Sequence, residues 1–94
     1  MSNARFSIVQ SRAISDKRIL PSQFRTLAAL GMYCDQEGRC CPRLKILGAL
    51  LSKSSQAVSK DIHVLADLGY VKIEHQYQLD GSQMSNLYWL DFTS

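Results

Sequence analysis

No stretch of this chain approaches the roughly 18 consecutive apolar residues that a helical membrane span requires. Nor does a basic-then-apolar leader open it, so the sequence reads as a cytoplasmic protein with no membrane partner. Cysteine is scarce and odd in number: Cys34, Cys40 and Cys41 suit reduced thiols better than a disulfide framework. The run CDQEGRCC lacks zinc-ligand spacing, and His63 and His75 lie far from it without a paired partner. No metal and no other cofactor is therefore expected. There is no phosphate-cradling glycine loop, no recognisable pair of carboxylates, and no serine or cysteine with an evident base. An enzyme is not expected, and no catalytic residue is assigned.

Acid is the most informative absence. From Gly38 to Lys60 the chain carries Arg39, Arg43, Lys45, Lys53 and Lys60 and no aspartate or glutamate, so this stretch is +5 in a chain of net charge +3. One positive face on an otherwise slightly acidic molecule suits a polyanion. The 94 residues allow one small core, and no repeat, low-complexity tract or linker divides them; residues 1–94 read as a single domain.

Periodicity supplies the order of elements. FSIVQ (6–10) is short and β-prone, and SRAISDKRIL (11–20) reads as a turn or short helix. A first helix is expected from Pro21, a residue tolerated at the first helical position, with Phe24, Leu27, Ala28, Gly31 and Cys34 on its core face. Residues 38–41 suit a minor strand. Pro42 restarts a helix that turns Leu44, Leu47, Gly48 and Leu51 to one side; Gly48 there suggests that another helix packs close. Ser52-Lys53-Ser54 breaks it, and Ser54 is a fitting N-cap for the next helix. That helix buries Val58, Ile62 and Leu65, flanked by Ala57, Asp61, Val64 and Leu68, and closes at Gly69. YVKIEHQYQ, an Asp-Gly turn in LDGSQ and SNLYWLDF then alternate as a hairpin. Tyr88, Leu90 and Phe92 share one strand face. Trp89 is then partly exposed, covering the N-terminal segment near Phe6 and Val9 or joining a dimer contact.

Cys40-Cys41-Pro42, Leu47-Gly48, Leu51-Ser52-Lys53-Ser54, Gln56-Ala57-Val58-Ser59-Lys60, Ile62, Leu65 and Leu68-Gly69-Tyr70 stand in the order and spacing of a known group. So do Asp16-Lys17-Arg18-Ile19, Leu27-Ala28-Ala29-Leu30 and Ser85-Asn86-Leu87-Tyr88. Over residues 6–90 the chain resembles the prokaryotic winged helix-turn-helix domains of small transcriptional regulators and of plasmid or phage replication proteins. The implied fold is mainly α with a small β-hairpin: a three-helix core plus wing, with the helix-turn-helix at about 42–68 and the wing at about 70–92. The chain departs from that pattern at Arg43, where serine is common, at Ser52 and Lys53, where glycine and valine are common, and at Ser55, where arginine often opens the recognition helix. Its wing, QYQLDGSQMSN, has no lysine or arginine.

Opposite the apolar stripe of the third helix stand Ser55, Gln56, Ser59, Lys60 and His63. The resemblance implies that this side enters the major groove of double-stranded DNA. There Gln56 would pair with adenine, and Lys60 would reach guanine or phosphate. Ser55 and Ser59 would leave room for the base edges, and His63 would meet a base or phosphate. Arg43, Lys45 and Lys53 would lie near the flanking backbone and set register. A transcriptional regulator is the leading expectation, acting as a homodimer or with a larger replication or transcription partner. A replication-initiator module and a winged-helix adaptor for protein–protein interaction remain open.

Overall fold

A computed structural model describes residues 6–76, 79–80 and 86–92. Among these, three α-helices pack together beside a three-stranded antiparallel sheet, a mixed α/β arrangement. After a 3-10 turn at Ser11–Ala13 come α1 (Pro21–Tyr33), β1 (Arg39–Cys40), α2 (Leu44–Leu51), α3 (Ser55–Asp67), β2 (Val71–Glu74) and β3 (Leu87–Leu90). The sheet is ordered β1-β3-β2, with Cys40 opposite Tyr88 and Val71 opposite Leu90. A hairpin alone therefore understates the sheet, because the short 39–40 strand adds a third member on the far side of β3. Gly81 of the Asp-Gly turn and most of the wing lie outside the described residues.

Each helix boundary has a local cause. Pro21 opens α1, and the Gln23 side-chain oxygen accepts the Leu20 backbone N–H at 3.0 Å. Helix α2 starts at Leu44, two residues after Pro42, because Arg43 is still extended at φ −73 and ψ 143. At α3 the Ser54 hydroxyl accepts the Ala57 N–H at 3.1 Å, the expected cap. Its C-terminus closes with two bonds, Gly69 N–H to Ala66 and Tyr70 N–H to Leu65, both 3.0 Å, around Gly69 at φ +91. This paired closure requires a left-handed residue, which glycine adopts without a Cβ clash.

The core draws Leu27 and Leu30 from α1, Leu47 from α2 and Val58, Ile62 and Leu65 from α3, each at most 1% exposed. Tyr88 and Leu90 close it from β3, on the side assigned from strand alternation. Burial on α1 is wider than its sequence face, taking in Thr26, Ala29 and Leu30. FSIVQ forms no strand. Instead, the Ile8 N–H reaches the Gly31 carbonyl at 3.4 Å, and a Cβ on Gly31 would collide with the Ile8 carbonyl. The gap at Gly48 admits the Lys53 carbonyl of the following turn rather than another helix.

Trp89 lies on the face of β3 opposite Tyr88 and Leu90. It stands on the outer face of the sheet between Arg39 and Lys72, its partners across β1 and β2. The Arg39 guanidinium lies 5.6 Å from its ring, and its indole N–H donates to Glu74 at 3.2 Å. Phe6 lies beside Arg25, Ala28, Met32 and Leu50.

Candidate functional site

Because Val58, Ile62 and Leu65 are buried, the 3.6-residue period of α3 turns Gln56, Lys60 and His63 outward, and all three are exposed. Ser55 and Ser59 are half-buried beside them. The three outward side chains belong to positions i, i+4 and i+7 of one helix and so form a single line. Asp67 is exposed at the end of the helix and is the first acid on this side. His63 is constrained: its Nδ1 lies 2.8 Å from the Ser59 carbonyl oxygen one turn earlier.

The cationic set is smaller than the sequence suggests. Lys53 turns inward, where its Nζ forms an ion pair with Asp61 and donates to the Ser22 carbonyl at 3.0 Å and to the Thr26 hydroxyl at 3.3 Å. The Thr26 hydroxyl, fully buried on α1, is also within 2.9 Å of the Asp61 carboxylate. Lys53 and Asp61 side chains are 17% and 14% exposed, so water competes little for this pair. The expectation that Lys53 lies along a phosphate backbone is thus replaced by a clamp joining α1, the α2–α3 turn and α3. Arg39 is also engaged, by Asp35 at 3.2 Å and Glu37 at 3.4 Å. Arg43, Lys45 and Lys60 remain exposed and form no ion pair among the described residues.

Thr26 and Asp61 were not expected as partners of Lys53. Asp61 carried the signal, since a carboxylate beside a core stripe must find a cation or donors. Its partner is eight residues earlier in sequence, across a turn that periodicity does not bridge.

A second polar cluster fixes the N-terminal segment. Tyr70, 1% exposed, donates its hydroxyl to Asp16 at 2.7 Å, while Gln10 donates its amide to the Tyr70 carbonyl at 2.9 Å. The Arg12 guanidinium lies 4.3 Å above the Tyr70 ring. The Arg18 side chain, the Tyr70 hydroxyl and the Arg18 backbone N–H together hold the Asp16 carboxyl well below the usual carboxylate range. Burial, with the Asp16 hydrogen bond second, pushes the Tyr70 hydroxyl up. The thiols are unbridged, and burial raises Cys40 to about 12, which leaves it protonated and inert.

Among the described residues no group of three His, Cys, Asp or Glu side chains is placed to hold a metal ion. No helix among them is long and apolar enough to cross a membrane. Chemically, the outward line on α3 offers an amide, an ammonium and an imidazole, with two hydroxyls beside them and no acid before Asp67. Such a surface suits polar edges and negative charge. Comparisons with protein families, with curated proteins and with solved structures return no match.

Proposed function

We propose that this chain is a winged helix-turn-helix module that binds double-stranded DNA with α3 in the major groove and acts as a transcriptional regulator. One observation carries the reading: Gln56, Lys60 and His63 form an exposed line on α3, uncovered by the described part of the hairpin. Arg43 and Lys45, exposed at the start of α2, supply charge for the flanking phosphates. Gln56 can bond adenine through N6 and N7, and Lys60 can meet guanine acceptors or a phosphate. Ser55 and Ser59 are short enough to let the bases approach. Two copies on paired half-sites, or a larger partner protein, add the affinity that one small face lacks.

A protein-binding adaptor is the competing reading. It is favoured by the pairings that withdraw Lys53 and Arg39 from the cationic set. Titration of a labelled random-sequence duplex separates the two. DNA binding is expected for the native chain, weakened about tenfold by Lys60→Glu, with the helical circular-dichroism signal retained. Equal affinity of the two proteins rejects α3 as the binding surface, and no affinity in either supports the adaptor.

A further inference from the structure

The hydrogen bond of His63 fixes which kind of base group its ring can recognise. Nδ1 lies 2.8 Å from the Ser59 carbonyl oxygen. A carbonyl oxygen carries no proton, so Nδ1 must be the donor. In the neutral ring the other nitrogen, Nε2, is then a bare lone pair. His63 is exposed, and among the described residues no other hydrogen bond engages the ring. We infer that His63 is a specificity-determining residue whose Nε2 accepts a hydrogen bond from an exocyclic amino group, that of cytosine or adenine, in the major groove. This deepens the DNA reading above and rests on it.

The selection follows from groove chemistry. Only adenine N6 and cytosine N4 donate in the major groove, whereas guanine N7 and O6 and thymine O4 accept. A lone pair facing guanine or thymine meets another lone pair. His63 therefore favours adenine or cytosine on the strand it faces and disfavours guanine and thymine. Gln56, able to donate and accept at once, selects adenine. Seven residues separate the two along α3, about 10.5 Å of helix axis, or about three steps of stacked bases. The Ser59 carbonyl acts as the positioning group: by holding the Nδ1 proton it turns the ring's acceptor outward.

Two measurements test this. Nitrogen NMR of the imidazole in alkaline buffer reads the proton's place without DNA; the Nδ1–H tautomer is expected, and an Nε2–H ring overturns the inference. Selection from random duplexes should then yield adenine or cytosine about three base pairs from the Gln56 position. At that site, pyrimidin-2-one in place of cytosine, or purine in place of adenine, removes only the amino group. The analogue should weaken the native chain about three- to tenfold and leave His63→Ala indifferent. Equal sensitivity in both proteins, or guanine or thymine at that position, overturns the role of His63 while DNA binding stands. A pool that is not enriched at all rejects the DNA reading and the inference with it, and the NMR result still reports the ring's state.

Discussion

At the scale of residues, the inward turn of Lys53 changes what a cation in a helix-helix turn is for. Its ammonium is held by Asp61, Thr26 and the Ser22 carbonyl, so it joins elements of the fold instead of meeting solvent anions. Lys53→Ala should destabilise the fold by about 2–3 kcal/mol, because a largely buried carboxylate is left without its cation. The double change Lys53→Met with Asp61→Leu should recover most of that loss, since a packed apolar pair avoids the desolvation cost of two charges. Urea unfolding of the single and double variants measures both. Additive losses would mean that the pair is not coupled. Asp16 makes a separate prediction about acid. Its folded carboxyl sits below its ordinary value, so the stability it contributes is complete above about pH 4 and is lost as pH falls further. Between about pH 5 and pH 2 the native chain should lose stability more steeply than Asp16→Asn, as read from the urea midpoint at each pH. Parallel pH profiles would show that the Arg18 and Tyr70 contacts do not bias the titration.

At the scale of elements, the α2–α3 turn carries strain that the residue types explain. Ser52 caps α2 at φ 58 and ψ 44, the left-handed region that costs an L-residue with a Cβ about 1–2 kcal/mol. Glycine would remove that clash at some cost in chain entropy, so Ser52→Gly should stabilise by about 0.5–1 kcal/mol. Gly48→Ala should do the opposite despite alanine's better helix propensity, since its Cβ would stand 2.5 Å from the Lys53 carbonyl oxygen. Thermal unfolding of the two variants checks the pair of signs, and a stabilising Gly48→Ala would mean that the turn can retreat from α2. Much of this region was legible in the sequence because its markers are local. Ser54 and Gly69 bound α3, and the spacing of Val58, Ile62 and Leu65 fixes its buried side. FSIVQ misled for the converse reason: β-prone residues make a strand only where a partner edge is available. Its backbone meets a helix glycine instead. The pairing of β1 with β3 was equally hidden, since a two-residue strand has no pattern of its own.

At the scale of the whole molecule, sequence order conveyed the three helices and the two later strands, while the pairing of Lys53 with Asp61 emerged only in three dimensions. Asp35, Glu37 and Asp61 all lie outside the acid-free stretch, yet folding returns them to Arg39 and Lys53. A run of five positive charges thus becomes three, Arg43, Lys45 and Lys60, that form no ion pair among the described residues. The loss is physical: net charge along a chain does not determine which charges face solvent. It also makes the salt dependence of duplex binding the most direct measure of the proposed surface, because each neutralised phosphate contributes about −0.9 to the slope of log affinity against log salt. With those three cations engaged, the slope is expected near −2.7 for each bound copy. Arg43→Ala, Lys45→Ala and Lys60→Ala should each reduce its magnitude by about 0.9, and Lys53→Met should leave it unchanged. A slope near zero, or one that responds to Lys53 but not to the other three, would contradict duplex binding through this face.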